Sequence, residues 1–240
     1  MLSVVTASHE HSESMAEIAK QALELGFTSV YWLLNDTVTD DSKGEVVQYW
    51  GEQYLKVKVG DKLSLNIGPN NFCQNNIEVF EEILSYVDEH LARNDLFTGK
   101  LYDLYAGVGA IGLYFAQKFE QVYACELDAQ SVELARLNAV ENGISNYEIV
   151  AADATTLGAL ATPDVVIVDP PRAGLLPRGV EEVLSLGAKS LVYISCNPTT
   201  QAQDLAALSS QYKIVSARAF DMFPQTPHVE NVVILEPIND

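Results

Sequence analysis

The sequence predicts an α/β fold: a doubly wound sheet of the Rossmann-like kind, preceded by a small N-terminal α+β segment. After residue 100, short apolar runs alternate with helical stretches, which is typical of a parallel sheet covered on both faces. A glycine-rich turn follows the first of these runs, at the edge where open α/β sheets gather ligands. Residues 1–70 lack this alternation and carry one helical stretch among several strand patterns.

Length and composition indicate a globular protein with one large domain or two small ones. The chain has 240 residues, no apolar run near the ~20 residues of a membrane span, and no signal-peptide pattern. Its three cysteines are too scattered for a disulfide framework or a thiolate cluster, so we expect a reducing, cytoplasmic location. The net charge of −19 is evenly spread, and without a basic cluster it argues against a nucleic-acid partner.

Residues 1–70 predict a partial α+β domain. His11–Leu25 has helical character, and Gly26 is its stop signal. A polar, Asp-rich turn is expected at residues 35–44. Short strands are expected at residues 1–8, 28–34, 45–50, 54–59 and 62–67.

Residues 71–240 predict the second, larger domain. It begins with an amphipathic helix over Ile77–Leu91, whose apolar side chains fall on one face. Strands are then expected at residues 101–105, 121–125, 147–151, 164–168, 191–195, 212–220 and 231–236. Helices are expected between them at residues 110–118, 129–141, 155–160, 178–187 and 199–209.

Gly107, Gly109 and Gly112 form a G-x-G-x-x-G sequence between the first strand of this domain and the helix after it. Glycine lets the backbone turn sharply and approach a ligand closely. Alone, the motif is weak, and it most often indicates a dinucleotide site.

Acids at the ends of successive strands favour a different cofactor. Asp103 precedes the glycines, Glu126 follows the second strand, and Asp153 follows the third. Glu126 is placed to accept hydrogen bonds from two ribose hydroxyls, and Asp153 from an adenine amino group. This is the layout of S-adenosylmethionine enzymes, whose cofactor carries a sulfonium cation and no pyrophosphate. Tyr105 either borders this pocket or belongs to the core.

A thiol and two further acids belong to the same edge of the predicted sheet. Asp169 ends the fourth strand, Cys196 ends the fifth, and Glu230 precedes the last one. A pyrimidine C5 is too weak a nucleophile to take a methyl group until a thiolate has added to C6. A base must afterwards remove the C5 proton so that the thiol can leave. Cysteine, carboxylate and S-adenosylmethionine therefore suffice for methylation at C5.

Motifs spread over residues 72–230 occur together and in a characteristic order. They are Phe72-Cys73-Gln74-Asn75-Asn76, Asp103 to Gly109, Glu126, Asp169-Pro170-Pro171-Arg172, Ser195-Cys196-Asn197-Pro198 and His228-Val229-Glu230. On these residues the chain resembles the RNA uridine-C5 methyltransferase family, which makes 5-methyluridine in tRNA and rRNA. The combination is far more specific than the glycine motif alone.

The resemblance implies a role for each of these positions. It assigns Cys196 as the nucleophile and Glu230 as the base that removes the C5 proton. It places Gln74, the glycine loop and Glu126 on the cofactor side of the pocket. It places Asp169 there too, or against the target base. The implied cofactor is S-adenosylmethionine and the implied partner is tRNA or rRNA, while no group of residues has metal-ligand spacing.

The chain departs from the family pattern in two ways. Members usually carry an N-terminal RNA-binding β-barrel, the TRAM domain, and many have an iron–sulfur cluster, but this sequence shows neither. Residues 1–70 resemble only the later part of the family's middle domain. We therefore expect RNA binding to need a domain that lies outside this sequence.

Several interpretations stay open on the sequence alone. The chain methylates uridine in RNA, or it methylates a cytosine, a small molecule or a protein, or it is a cofactor-binding remnant without independent RNA activity. Arg172 either caps the loop after the fourth strand or holds a phosphate or carboxylate. A lone cysteine at a strand end is usually a small buried hydrophobe, but Asn197-Pro198 and Glu230 favour a catalytic role for Cys196.

Overall fold

The computed structural model describes residues 1–37, 43–97, 99–154 and 162–238. The chain divides into two compact units, the first made of Met1–Lys58 and Ser64–Cys73, the second of Val59–Leu63 and Gln74–Asp240. The helix expected at residues 155–160 and the middle of the polar turn at 35–44 lie outside the described residues. None of the helices described is both long enough and apolar enough to span a lipid bilayer.

The first unit is built on a three-stranded sheet in the order β1-β2-β3. Its elements are β1 (Leu2–Thr6), α1 (Ser12–Glu24), β2 (Ser29–Leu34), β3 (Glu45–Gly51) and all but one residue each of β4 (Leu55–Val59) and β5 (Leu63–Ile67). β1 pairs parallel with β2, which needs a crossover, and α1 supplies it. β3 pairs antiparallel with β2, and β4 pairs with β5 in a separate ribbon. The predicted helix and strands of this segment are confirmed, with small shifts at their ends.

The second unit contains a seven-stranded sheet with helices between its strands. Its elements are α2 (Ile77–Arg93), β6 (Lys100–Leu104), α3 (Ala110–Phe115), β7 (Gln121–Glu126), α4 (Ala129–Glu141), β8 (Tyr147–Ala151), β9 (Val165–Val168), α5 (Leu176–Leu186), β10 (Ser190–Ser195), α6 (Pro198–Leu208), β11 (Tyr212–Phe220) and β12 (Glu230–Pro237). A 3-10 turn at Ala116–Lys118 continues α3. The Rossmann-like α/β fold predicted from the alternating pattern is confirmed.

The strand order of the large sheet is β11-β12-β10-β9-β6-β7-β8. The strands from β6 to β10 pair parallel with one another, as predicted from the helices that separate them. β12 runs antiparallel to both of its neighbours, β10 and β11. Residues 221–229 join β11 to β12, and a connection this short suits a hairpin rather than a crossover between parallel strands.

The core of this unit is centred on β9 and β10. All four residues of β9 are fully buried, and so are the apolar residues of β10. A strand in the middle of a sheet covered on both faces needs apolar side chains on both sides, which explains the unbroken run Val165–Val168. The loops at the carboxyl ends of these strands therefore start from rigid positions.

Gln201 connects β10 to β12 from its position on α6. Its buried amide nitrogen donates to the carbonyl oxygens of Tyr193 at 3.0 Å and Asn231 at 3.2 Å. The Asn231 side-chain amide donates in return to Gln201 Oε1 at 2.6 Å. This pair of amides holds the first residues of β12 against the end of β10 in the register Ser195 with Asn231.

We expect Gln201→Leu to lower the free energy of unfolding by about 1–3 kcal/mol, because it removes buried hydrogen bonds and leaves the Asn231 amide unpaired. Gln203→Leu is the matched control, since Gln203 is exposed on the same helix. Urea unfolding followed by circular dichroism measures both. Equal stability of the two variants would contradict the role given to Gln201.

Candidate active site

The carboxyl edge of the parallel strands gathers the residues that the sequence singled out. Asp103 lies near the end of β6, Glu126 ends β7, Asp169 follows β9, and Cys196 follows β10. Glu230 reaches the same edge from the opposite direction, because it begins the antiparallel β12. Residues that are far apart in the chain thus meet on one side of the sheet.

The loop between β6 and α3, residues 105–109, is shaped by side chains beneath it. A Cβ on Gly109, whose φ is +89°, would lie 2.9 Å from the hydroxyl oxygen of Tyr147. A Cβ on Gly112 would lie 2.8 Å from both Asp103 Oδ2 and a ring carbon of Tyr147. A Cβ on Gly107 would meet no atom within 4 Å. Gly109 and Gly112 are therefore required by packing against the protein, whereas Gly107 faces open space.

Glu126 fastens this loop to the end of β7. Its Oε2 accepts a hydrogen bond from the Gly107 N–H at 2.9 Å, and its Oε1 accepts one from the Asp128 N–H at 2.9 Å. The Ala106 N–H also donates to the Cys125 carbonyl oxygen at 3.0 Å. Each carboxylate oxygen keeps a second lone pair, so Glu126 is able to accept hydrogen bonds from a ligand as well.

Asp103 is a fully buried carboxyl under the same loop. Its Oδ2 accepts a hydrogen bond from the Gly112 N–H at 2.8 Å, while its Oδ1 has no partner among the described residues. Burial raises the pKa of Asp103 to about 7, and the nearby carboxyls of Asp169 and Glu126 also raise it. An unpaired buried acceptor is costly, so this oxygen favours a cationic or hydrogen-bond-donating ligand.

The remaining predicted cofactor residues occupy different positions. Burial and then the negative charge of Asp153 raise the pKa of the Tyr105 hydroxyl to about 12, which places Asp153 near Tyr105. Asp153 is itself exposed after β8. Gln74 is partly buried in the loop before α2, and two residues later Asn76 donates to the Met222 carbonyl oxygen at 3.4 Å. The cofactor role of Gln74 stays a prediction.

Cys196 occupies the turn from β10 into α6. The Ser195 hydroxyl donates to the Asn197 carbonyl oxygen at 3.2 Å and accepts from the Asn197 N–H at 3.1 Å. The Asn197 side chain caps α6 by accepting from the Thr199 N–H at 3.1 Å. Pro198 fits the first position of the helix, where a missing N–H costs nothing. This local chemistry leaves the Cys196 thiol partly buried at the sheet edge.

Charged side chains surround the Cys196 sulfur. Burial, followed by the carboxyls of Glu230 and Asp169, raises the pKa of the thiol. The Arg172 guanidinium lowers that pKa by its charge and by a hydrogen bond to the sulfur, but the upward effects are larger. The thiolate is the nucleophilic form, so the balance between Arg172 and the carboxyls sets the reactivity of this cysteine.

Glu230 lies beside Cys196 because Ser195 and Asn231 are directly paired in the β10–β12 ladder. Glu230 is only 4% exposed, and burial raises its pKa to about 8, with a further increase from Asp169. A carboxyl with a pKa near the working pH is suited to take up a proton.

Asp169 connects the glycine-loop acids to the thiol. It follows β9, and its N–H donates to the Leu104 carbonyl oxygen at 3.4 Å. It contributes to the pKa of Asp103 on one side and to those of Cys196 and Glu230 on the other. Burial raises its own pKa to about 7. Asp103, Asp169, Glu230 and Cys196 therefore form one continuous polar cluster.

Tyr147 and Gln201 contribute to this site, and the sequence analysis did not single them out. Tyr147 lies under Gly109, and its hydroxyl is a second buried atom with no partner among the described residues. In the sequence, the only sign of Tyr147 was the pair Gly109 and Gly112, whose missing side chains leave room for its ring. The sequence also left the role of Arg172 open, whereas in the structure its guanidinium lowers the pKa of the Cys196 thiol.

The described residues include no group of three or more His, Cys, Asp or Glu side chains arranged to hold a metal ion. Cys73, Cys125 and Cys196 are all free thiols. At the carboxyl edge of the sheet, the described residues thus offer the partly buried Cys196 thiol, neighbouring carboxyls and the Arg172 guanidinium.

The tRNA (uracil-5-)-methyltransferase family matches the chain over residues 41–162 and 161–238. A tRNA (uracil(54)-C(5))-methyltransferase of Pyrococcus abyssi is 37% identical over 212 residues, which cover 87% of this chain and 49% of that protein. An uncharacterized RNA methyltransferase of Nanoarchaeum equitans is 34% identical over 239 residues, 98% of this chain and 52% of the relative. The chain spans about half the length of the curated relatives it matches.

Solved structures that superpose on this chain include other methyltransferases. The crystal structure of Pyrococcus abyssi tRNA (uracil-54, C5)-methyltransferase in complex with S-adenosyl-L-homocysteine superposes with a TM-score of 0.78 at 32% identity. The superposition covers 97% of this chain and 55% of the Pyrococcus abyssi chain. The M. jannaschii tRNA m1G37 methyltransferase, at 12% identity and a TM-score of 0.63, shows the shared methyltransferase fold.

We expect Gly109→Ala to destabilise the second unit more than Gly107→Ala does. Both changes force a left-handed backbone on alanine, at a cost of about 1–2 kcal/mol, but only the first adds a collision with Tyr147 and Leu113. Overpacking adds about 1–3 kcal/mol in such a site. Urea unfolding of the two variants measures the difference, and equal losses would show that the loop does not rest on Tyr147.

Proposed function

Because the chain belongs to the tRNA (uracil-5-)-methyltransferase family, we propose that it transfers a methyl group from S-adenosylmethionine to C5 of a uridine in tRNA. The observation that carries this proposal is the position of Glu230 beside Cys196 in the β10–β12 pairing, with Asp169 following the neighbouring β9 next to the glycine loop. In this scheme residues 71–240 are the catalytic domain, and residues 1–70 are the later part of a middle domain. Uridine in rRNA is the alternative substrate for the same reaction.

Properties of the glycine loop support S-adenosylmethionine as the cofactor. Gly107 faces open space, and the unpaired Oδ1 of Asp103 suits a cation. Glu126 offers carboxylate oxygens at the position where ribose hydroxyls are expected. The Pyrococcus abyssi relative was crystallised with S-adenosyl-L-homocysteine. When bound, S-adenosylmethionine supplies an electrophilic methyl group. We assign further contacts with the cofactor to Gln74, Tyr105, Gly109, Asp153 and Asp169.

The proposed reaction begins at Cys196. Its thiol releases a proton to solvent, and the sulfur forms a bond to C6 of the uracil. The electron pair of the C5–C6 double bond moves into an enolate that is nucleophilic at C5. Arg172 favours the thiolate, while Glu230 and Asp169 disfavour it. C5 of the enolate then takes the methyl group, and the electron pair of the broken methyl–sulfur bond stays on the cofactor sulfur.

Glu230 completes the proposed reaction. Its carboxylate takes the proton from C5, the C5–C6 double bond re-forms, and the C6–S bond breaks to release the Cys196 thiolate. The raised pKa of Glu230, about 8, makes its carboxylate a stronger base than an exposed glutamate. The buried position of Glu230 also keeps water from competing for the carboxylate.

The target uridine has to leave its stack before this chemistry takes place. C6 is unreachable within a stacked helix, so the substrate is a base in a loop or one that is flipped out.

The net charge of −19 supports a second candidate function, a catalytic unit that binds the cofactor and depends on another domain or partner for RNA affinity. Calorimetric binding of S-adenosylmethionine without turnover on any RNA would favour this candidate.

RNA that contains 5-fluorouridine is expected to form a covalent adduct at Cys196, because fluorine at C5 cannot be removed as a proton and elimination stops. Denaturing electrophoresis detects the adduct, and peptide mass spectrometry locates it. Cys196→Ser should abolish it, while Cys73→Ser should retain it as the matched control. If the wild-type chain binds cofactor and RNA without forming the adduct, the covalent route is wrong.

Glu230→Gln is expected to slow product release from the enzyme by at least about 100-fold, the usual contribution of a general base. With ordinary uridine RNA, the methylated adduct should then accumulate, since a side-chain amide at this position would not accept the C5 proton. Glu148→Gln, at an exposed position of β8, is the control and should turn over normally. Loss of turnover without accumulated adduct would place Glu230 before methyl transfer.

A further inference from the structure

The loop that follows β9 and the turn that follows β10 are joined through one main-chain oxygen. The Arg172 carbonyl oxygen accepts a hydrogen bond from Asn197 Nδ2 at 3.0 Å and one from the Thr200 hydroxyl at 3.1 Å. The Thr200 hydroxyl also lies 3.1 Å from the Asn197 carbonyl oxygen. The backbone of Arg172 is thus fastened to the same turn that carries Cys196.

The side chain of Arg172 returns to this turn. Arg172 is exposed, yet its guanidinium is close enough to Cys196 to lower the pKa of the thiol by its charge and by hydrogen bonding. A long exposed side chain ordinarily loses rotamer freedom when it is held in one place, and a fixed backbone reduces the freedom it has to give up. The two bonds to the carbonyl oxygen therefore fix the Arg172 backbone beside the Cys196 turn and limit how far the guanidinium can move from the thiol.

The charges around the sulfur make this contact important. Glu230 on β12 and Asp169 after β9 both disfavour a negative charge on Cys196, and Arg172 is the positive group that opposes them. Without it, the sulfur would face two carboxyls in a partly buried position. A thiolate would then be harder to form as the attacking group and harder to release as the leaving group.

We propose that Arg172 is the positioning residue that activates Cys196, and that Asn197 and Thr200 brace it through its carbonyl oxygen. This inference rests on the proposed nucleophilic role of Cys196. It goes beyond that role because it assigns separate functions to a guanidinium, an amide and a hydroxyl that carry no reacting atom.

The test measures the reactivity of the thiol itself, without RNA. The rate of iodoacetamide alkylation at Cys196 is followed from about pH 6 to about pH 10.5 in the full chain, with site-specific quantification by peptide mass spectrometry. A Cys73→Ser background removes the other partly buried thiol. Cys125 is 1% exposed, and burial raises its pKa to about 12, so it reacts slowly.

Arg172→Gln is expected to raise the pKa of Cys196 by about one unit and to lower its alkylation rate near pH 7.5 about tenfold. Arg178→Gln makes the same chemical change at an exposed position on α5 and should leave the profile unchanged. Arg172→Lys keeps the charge without the planar fork and should give an intermediate profile.

The brace is tested by Thr200→Val, which removes the hydroxyl at constant volume. It should lower the alkylation rate about threefold, or about half a pKa unit, whereas Thr199→Val should have no effect. Thermal unfolding of each variant checks that the fold is kept.

Coincident alkylation profiles for Arg172→Gln, Arg178→Gln and the parent would overturn the inference, as would a wild-type profile in both Arg172→Lys and Thr200→Val. These results are independent of the 5-fluorouridine experiment. A missing RNA adduct with a shifted alkylation profile would reject the covalent route and leave the activation of the thiol in place.

Discussion

The antiparallel insertion of β12 between β10 and β11 is the constraint on which the rest of the site depends. A parallel last strand would start at the opposite edge of the sheet and carry Glu230 away from Cys196. The hairpin connection after β11 prevents this, and the mutual amide bonds of Gln201 and Asn231 hold the register. The position of Glu230, the proposed base, next to Cys196, the proposed nucleophile, is therefore a consequence of sheet topology, reinforced by two amide side chains.

The site concentrates carboxyls where water is scarce. Asp103, Asp169 and Glu230 all have pKa values raised by burial, and they influence one another through Asp169. Such carboxyls cannot all be ionised at neutral pH, so protons are held in the cluster. The free energy of unfolding therefore decreases as the pH rises from the ordinary carboxyl range through these raised pKa values. Over that range the folded state binds more protons than the unfolded state. In the proposed reaction, the same raised pKa makes Glu230 a stronger base beside the thiol.

The glycine loop shows how one motif serves two purposes. Gly109 and Gly112 make room for Tyr147 and Asp103 beneath the loop, whereas Gly107 leaves space above it. Glu126 ties the loop to β7 through the Gly107 N–H, so the open glycine lies next to a carboxylate that is able to accept further hydrogen bonds. Packing below the loop thus fixes the position of Gly107 and Glu126, the proposed cofactor contacts.

By itself, the sequence determined the order and type of the elements and placed Asp103, Glu126, Asp169 and Cys196 at strand ends. These features follow from local signals: apolar runs, helical periodicity, and glycine or proline at the turns. The tertiary structure decided the direction of β12, the neighbours of Asp169, the place of Tyr147 under the glycines and the contact of Arg172 with the thiol. Each of these depends on side chains that are distant in the chain, and no local sequence pattern determines which of them come into contact when the sheet forms.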